Sequence, residues 1–245
     1  MFYIGTSGWA YSHWREKFYP KSLSPSKQLM FYTQKFNSVE INYSFYHLPK
    51  KNTYQKWLEE VSEKFIFAVK VSRFITHIKR LKDIRDNWQL FYSQAQLLKN
   101  KLGPFLLQMP PNFLFNEENF RRVEEFLMIN FGDRKSNLRL AIEFRHSSWS
   151  NQEIFELLQK YNTALVVSDS SRWPKIIQPD LADFIYLRFH GPRELFASNY
   201  SLAELKNWAK KIKKWGINKD IFIYFNNDFS GFAPKNAIEL QKIMI

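Results

Sequence analysis

Five apolar segments of the chain end in carboxylate, cationic, amide or imidazole side chains at alternate positions. These segments are SVEIN (38–42), FAVKVS (67–72), LAIEFRH (140–146), IYLRFH (185–190) and IFIYFNND (221–228). Successive side chains of a β-strand point to opposite faces, so one face of each segment is apolar while the other becomes polar at its end. Such groups can serve as general acids and bases or as ligands for an anion. The pattern therefore predicts that these polar groups share one site.

Five residues of this set are candidates for catalysis. Glu40 and Glu143 could face each other as an acid/base pair, as in glycoside hydrolases, where two carboxyl groups stand roughly 5 to 10 Å apart. His77 and His190 are candidates to donate a proton, and Asp228 is a candidate base. Cations on neighbouring segments are expected to hold the two glutamates ionised, which weakens the general-acid role.

Ten further residues are candidates to bind a substrate. Lys70, Arg145 and Arg188 are expected to hold an anion, and Lys70 and Arg145 also to keep the glutamates ionised. The other seven lie in the same segments or in loops: Trp9, Asn42, Ser72, Gln108, His146, Asn226 and Asn227. Asp169 is expected to join this lining. The alternative is a network of buried charges that satisfy one another and perform no chemistry.

The sequence offers little support for a metal or a cofactor. It contains no cysteine, which excludes disulfides, thiolate zinc sites and cysteine nucleophiles. His77, His146 and His190 lack the close spacing of a metal motif, so no metal ligand is predicted. A divalent ion held with Glu143 and Asp228 by tertiary geometry stays open. The chain also lacks a Walker loop, a dinucleotide fingerprint and a nucleophile elbow, and no cofactor is predicted.

Strand-like and helix-like segments alternate along the chain, and this order would position the polar groups. Strands are predicted at 2–7, 38–42, 65–71, 104–109, 139–144, 163–168, 184–190 and 221–226. Helices are predicted at 26–36, 51–63, 83–100, 116–130, 151–161, 202–215 and 234–244, with a short or irregular piece at 175–181. Eight such repeats favour an α/β fold, a single (β/α)8 barrel of the TIM type spanning 1–245, with its site at the C-terminal ends of the parallel strands. An open doubly wound sheet is the alternative.

The net charge of +13 indicates either an anionic partner or a lysine-coated surface. The predicted loops after the strands hold thirteen basic residues and only three acidic ones. The basic residues are Arg15, Lys17, Lys21, Lys50, Lys51, Arg73, Lys79, Arg80, Lys82, Arg172, Lys175, Arg193 and Lys235, and the acidic ones are Glu16, Asp180 and Glu194. Aromatic residues such as Tyr11, Tyr46 and Phe229 alternate with these cations. The expected partner is a small anionic ligand or a nucleic acid, and lysines that merely solvate the loops are the alternative.

The chain shows no sign of a membrane segment. No apolar run approaches the roughly 20 residues that a spanning helix needs. The first residues, MFYIGTSGW, lack the basic and apolar regions of a signal peptide. A cytoplasmic protein is expected, and its oligomeric state stays open.

Seven stretches carry recognisable motifs: GTSGWAYSHW (5–14) with FYP (18–20), FNSVEINYSFYHLP (36–49), FAVKVSRFITHIKRL (67–81), LGPFLLQMPP (102–111), EFRHSSW (143–149), YLRFHG (186–191) and YFNNDFSGFAPKNA (224–237). They resemble the DUF72 family, also called YecE-like proteins, over nearly the whole chain. The resemblance implies a TIM barrel and motif residues that coincide with the candidates above, and it adds Thr76. Two loops depart from the family pattern: PRELFASNY (192–200) lacks the arginine expected directly after Gly191, and Arg15-Glu16 stand where a glycine is common.

The resemblance implies no activity, so three functions are open. The first is the handling of a phosphate-bearing ligand, plausibly nucleic acid, by hydrolase or phosphodiesterase-like chemistry. The second is carbohydrate hydrolysis by Glu40 and Glu143. The third is noncatalytic binding of a small metabolite by the same residues.

Overall fold

The computed structural model describes residues 1–131 and 138–244. Its strands are β1 (Phe2–Thr6), β2 (Ser38–Ile41), β3 (Ile66–Lys70), β4 (Leu102–Gln108), β5 (Leu140–Glu143), β6 (Ala164–Leu165), β7 (Val167–Ser170), β8 (Phe184–Gly191) and β9 (Asp220–Phe225). They form two sheets in the orders β1-β9-β8-β7 and β2-β3-β4-β5-β6, and every paired strand is parallel to its neighbour.

The two sheets meet at both ends and close a barrel. At one seam Ser7 forms a parallel bridge with Glu40, and the backbone N–H of Gly8 donates to the Glu40 carbonyl at 2.8 Å. Gly5 permits this approach, because a Cβ atom there would lie 2.0 Å from the Ser38 carbonyl oxygen. At the other seam only Val166 separates β6 from β7. The fold is thus the predicted (β/α)8 barrel, with its sixth strand in two short pieces.

The helices follow the strands in the expected order. They are α1 (Gln28–Thr33), α2 (Tyr43–Tyr46), α3 (Lys51–Glu59), α4 (Arg85–Ala95), α5 (Glu117–Phe131), α6 (Gln152–Lys160), α7 (Leu202–Trp215) and α8 (Phe232–Met244). The segment 175–181, expected to be short or irregular, contains no helix. The elements that were not predicted include α2, a π-helical turn at Phe74–Ile78 and short 3-10 helices at Ser12–Trp14 and Ser147–Trp149. Within the described ranges, no helix combines the length and apolar composition that a bilayer crossing requires.

Alternation along the strands separates two buried layers. Val39, Ile142 and Leu187 belong to the outer core between the strands and the helices. Side chains such as Ala68 and Tyr186 belong to a second core inside the barrel. The inner set occupies alternate positions that lead, at the C-terminal ends of the strands, to the polar residues predicted from the sequence. The period of two that the sequence shows therefore fixes which residues reach the barrel mouth.

Candidate functional site

A buried arginine, Arg188, links the polar side chains at the bottom of the barrel mouth. These side chains are called the floor below. Nε and Nη2 of Arg188 each donate to one oxygen of Glu40 at 2.9 Å, and Nη1 donates to Oε2 of Glu143. Glu40 also accepts hydrogen bonds from the hydroxyls of Ser7 at 2.7 Å and Tyr186 at 2.8 Å. Burial alone would raise the pKa of both carboxyl groups, but the adjacent guanidinium group outweighs it and lowers both pKa values. Both glutamates are therefore ionised, and each of their carboxylate oxygens accepts a hydrogen bond.

His190 lies in the same floor as a neutral imidazole. Its Nδ1 is 3.1 Å from the amide nitrogen of Asn226, which can only donate, so Nδ1 accepts. The proton is then on Nε2, which lies 3.2 Å from Oε1 of Glu143. Burial lowers the pKa of His190 to about 4, against the opposing influence of Glu143. The hydrogen-bond pattern and the pKa agree that this ring is uncharged near neutral pH.

Arg145 forms the next layer, above the floor. Its Nε donates to Oε1 of Glu143 at 3.2 Å, and its Nη2 donates to Oε1 of Gln108 at 2.8 Å. The guanidinium carbon lies 3.5 Å from the centroid of the Trp173 ring, a cation–π contact that fixes the plane of the group. Nη1 has no hydrogen-bond partner among the described residues. Arg145 thus presents a rigidly held cationic edge.

The π-helical turn places His77 at the mouth with a defined proton position. The Thr76 hydroxyl donates to the Ser72 carbonyl at 3.0 Å, so it accepts from Nδ1 of His77 at 2.9 Å. Nε2 of His77 then carries the lone pair and faces the amide nitrogen of Gln108 at 3.4 Å. Burial, reinforced by nearby cations, lowers the pKa of His77 to about 4. Single-turn π-helical segments are frequent at functional sites, and this one supplies a neutral imidazole with its acceptor nitrogen on the mouth side.

Lys70, the last residue of β3, is a buried cation of the cavity lining that has no salt bridge among the described residues. Its side chain is 9% exposed, and Nζ lies 4.1 Å from the centroid of the Phe45 ring. No hydrogen bond or salt bridge links Nζ to any described residue. Burial lowers its pKa to about 7, and the charges of Arg188 and Arg145 contribute to the decrease, against the opposing influence of Glu40 and Glu143. A substantial fraction of this amine is therefore neutral at physiological pH.

These groups surround an open cavity of about 560 Å³. It is lined by Tyr11, Asn42, Phe45, Tyr46, Lys70, Arg73, His77, Gln108, Arg145, Phe196, Asn226, Asp228 and Phe229. A second cavity, of about 440 Å³, shares Tyr11, Asn42 and Tyr46 with it and is mostly aromatic. Oδ1 of Asn42 is buried without a hydrogen-bond partner. The mouth thus offers cations, one free acceptor and aromatic surface.

Asp228 lines the rim of the cavity. Its carboxylate accepts hydrogen bonds from Nε1 of Trp14 and contacts Nε2 of His13 at 2.8 Å. Burial raises its pKa, and these two partners oppose that effect. Exposed rings stand beside it: Tyr46 is 70% and Phe229 79% exposed.

Twelve of the predicted site residues fall into three groups. Lys70, His77, Gln108, Arg145, Asn42, Asn226 and Asp228 line the cavity. Glu40, Glu143, Arg188 and His190 lie in the fully buried floor. Trp9 lines the aromatic cavity instead.

Three predicted residues make only structural contacts. The Ser72 hydroxyl accepts from the backbone N–H of Phe74, and the His146 ring pairs with Ser148. Asn227 is buried and donates to the Ser198 carbonyl and to Asn236. These contacts order the loops beside the mouth.

One expectation about the lining is wrong. Asp169 does not line the barrel, because its carboxylate pairs with Lys175 and accepts from Nε1 of Trp208 on α7. It occupies an outward position, one residue after the inward-facing Ser168. Lys70 forms no salt bridge with either glutamate, because the guanidinium group of Arg188 occupies both carboxylates, but its charge helps to lower the pKa of Glu40.

Sequence reasoning also missed residues of the site. Ser7 and Tyr186 bind Glu40, and Tyr186 could have been found because it stands two positions before Arg188 on the same face. Phe196 comes from the loop 192–200, whose path over the mouth has no signal in the sequence.

No group of three or more His, Asp or Glu side chains within the described ranges has the arrangement of a metal site. The positive rim is partly neutralised, since Lys21, Lys175, Arg193 and Lys235 each have an acidic partner.

Known proteins share both the sequence pattern and this fold. The model of a family described as "Protein of unknown function DUF72" matches residues 3–245. The UPF0759 protein YunF of Bacillus subtilis is 26% identical over 275 aligned residues, which cover 100% of this chain and 95% of the relative. A DUF72 family protein of Thermotoga maritima, solved by crystallography, is 30% identical with a TM-score of 0.89, covering 100% of this chain and 99% of its own. A second one, from Enterococcus faecalis, is 21% identical with a TM-score of 0.86 over 100% and 95% of the two chains.

Proposed function

The chain belongs to the DUF72 family, and from the chemistry of its barrel mouth we propose that it binds a small metabolite carrying a phosphate or carboxylate group. The observation that carries the proposal is an imbalance of charge. Arg188 and Arg145 are balanced by Glu40 and Glu143, to which they are bound. Lys70 lines the cavity and forms no salt bridge with any described residue. An anionic ligand would supply the missing charge.

Arg145 is prepared to receive such a ligand. The contacts to Glu143, Gln108 and Trp173 fix its guanidinium plane while leaving Nη1 unpaired. A planar fork of N–H donors suits phosphate and carboxylate oxygens, and little entropy is lost when the group is already ordered. Arg73 contributes a further, exposed cation to the same cavity wall.

Other residues of the cavity lining favour a ligand that carries a hydrogen-bonding group and a flat group in addition to its anionic group. The unpartnered Oδ1 of Asn42 can accept a hydrogen bond from a hydroxyl or amino group. Tyr11 and Phe45 offer aromatic surface in the same wall. The cavity volume of about 560 Å³ falls in the range of small-molecule sites.

The floor does not favour hydrolysis by a pair of glutamates. A glycosidase of that kind needs one carboxylic acid that is still protonated near neutral pH. The pKa values of Glu40 and Glu143 are both lowered, and both side chains are buried beneath the cavity. We therefore assign the pair to holding Arg188.

Calorimetric titration with inorganic phosphate at low ionic strength tests the proposal. We expect saturable binding with one site per chain, and unchanged binding in the control Arg121→Gln, which removes an exposed cation on α5. A mixed-sequence single-stranded oligonucleotide is titrated in parallel. Absence of phosphate binding would overturn the proposal. Oligonucleotide binding that phosphate cannot displace would also overturn it, in favour of a nucleic-acid ligand held by the rim.

A further inference from the structure

We propose that Lys70 is a nucleophile that forms an imine with a carbonyl group of the bound anion, which makes the ligand a 2-oxo acid or a phosphorylated aldehyde or ketone. The inference rests on the function proposed above. It goes beyond that function, because binding an anion does not by itself require the amine of Lys70 to react.

The surroundings of Lys70 favour a neutral amine. Its Nζ lies over the face of Phe45 and has no carboxylate, hydroxyl or carbonyl partner among the described residues. A second buried lysine shows the ordinary arrangement: Lys101, 5% exposed, donates to the Val61 carbonyl at 3.0 Å and lies 3.5 Å from Glu63. Lys70 lacks such partners, and desolvation next to other cations is how proteins activate lysine as a nucleophile. Its pKa of about 7 agrees with this geometry.

A proton carrier lies beside this amine. The His77 ring contacts Phe45 edge to face at a centroid distance of 5.0 Å, so Lys70 and His77 touch the same ring. The contact of Nε2 with the Gln108 amide is long, at 3.4 Å, and a ligand hydroxyl can replace it. Because Nδ1 is committed to Thr76, Nε2 is the nitrogen available to accept a proton from the ligand side.

Imine formation is balanced without an oxidant or a reductant. The neutral amine of Lys70 attacks the carbonyl carbon, and the carbonyl π electrons move to oxygen. One proton passes from nitrogen to oxygen by way of Nε2 of His77, which gives a carbinolamine. The nitrogen lone pair then expels the hydroxyl group, which takes up a proton and leaves as water. The product is an iminium ion, whose positive charge faces the anionic group held at Arg145.

Reductive trapping tests the proposal on the full chain. The protein is incubated with pyruvate, and separately with glyceraldehyde 3-phosphate, and then treated with sodium borohydride. We expect at least one probe to add once per chain, with a mass gain equal to that of the probe less one oxygen atom. Peptide mapping should place the adduct on Lys70 and leave Lys101 unmodified. The yield should rise as the pH increases from 6 to 8, because the neutral amine becomes more abundant.

Lys70→Arg is the decisive variant, because it keeps the charge and removes the nucleophile. We expect it to lose the adduct, and a phosphate titration of the same variant checks that the cavity is still formed. If the wild-type protein binds phosphate and neither probe modifies Lys70, the imine proposal is wrong while the anion site stands. If phosphate does not bind at all, the proposed function itself fails. An adduct of equal yield in Lys70→Arg would assign the reaction to surface lysines and overturn the proposal.

Discussion

Replacing Arg188 with methionine is expected to lower the free energy of unfolding by about 3 to 5 kcal/mol, the usual cost of breaking a buried ion pair on one side. The variant leaves the carboxylate of Glu40 buried without a salt bridge, although Ser7 and Tyr186 still bind it, while Glu143 keeps Arg145 as its counter-ion. Glu40 then favours the protonated form in the folded state. The variant should therefore become more stable as the pH falls toward the ordinary pKa range of glutamate. Urea unfolding at pH 5 and at pH 8 measures both effects.

Two further variants separate the buried charge from the loss of packing. Adding Glu40→Gln to Arg188→Met should restore much of the lost stability, because the remaining carboxylate, Glu143, is still paired with Arg145. Arg139→Met removes a half-exposed guanidinium group that pairs with Asp220 and should cost less than about 1 kcal/mol. Equal losses in Arg188→Met and Arg139→Met would contradict the role assigned to the floor.

Replacing Arg145 with methionine is expected to weaken phosphate binding by about 100-fold, the effect of losing roughly 3 kcal/mol of charge-assisted hydrogen bonding. Arg145→Lys should recover only part of this affinity. A lysine keeps the charge, but it cannot present a planar fork stacked on Trp173. Calorimetric titration with phosphate, at the ionic strength used for the wild-type protein, measures the three affinities.

The fold should survive this substitution, which keeps the result interpretable. Glu143 retains its contacts with Arg188 and His190 when Arg145 is replaced. The far-ultraviolet circular dichroism spectrum and the unfolding temperature serve as controls. Phosphate affinity that is unchanged in a folded Arg145→Met protein would contradict the anion site.

The faces of the strands could be predicted because alternation is a local property of the chain. Residues 40, 70, 143 and 188 reach the inside of the barrel since each follows an inward-facing residue two positions earlier. The same rule explains the error at Asp169, whose polar side chain follows the inward-facing Ser168 and hence points to the helices. Counting positions from Ala164 and Val166 would have placed it correctly.

The pairing of the charged groups could not be predicted, because it depends on distances across the barrel. Lys70 and Arg188 are both inward-facing cations, and nothing in the sequence shows which one reaches both glutamates. The side chain of Arg188 is longer than that of Lys70, and it lies deeper in the barrel. The unpaired amine, on which the proposals depend, is thus a consequence of tertiary geometry.

The position and tautomer of His77 also could not be predicted from sequence patterns. The histidine was a candidate because it follows a strand end, but its tautomer depends on a chain of hydrogen bonds from Ser72 to Gln108. That chain exists only because the segment Phe74–Ile78 forms a π-helical turn, which local propensities do not indicate.

The central claim is that an anion binds beside Lys70, and proton uptake on binding tests it most directly. Sulfate is the suitable probe, because it does not titrate near neutral pH. The free amine has a pKa of about 7, so at pH 8 it is mostly neutral. An adjacent anion favours the ammonium form and raises this pKa, which requires a proton from the buffer.

Calorimetric titration with sulfate at pH 8, in two buffers with different ionisation enthalpies, gives the number of protons taken up. We expect uptake approaching one proton per sulfate at pH 8, almost none at pH 5.5, and none at either pH in Lys70→Met. Sulfate affinity should correspondingly fall as the pH rises through 7. Binding at pH 8 without proton uptake, or with the same uptake in Lys70→Met, would contradict the account.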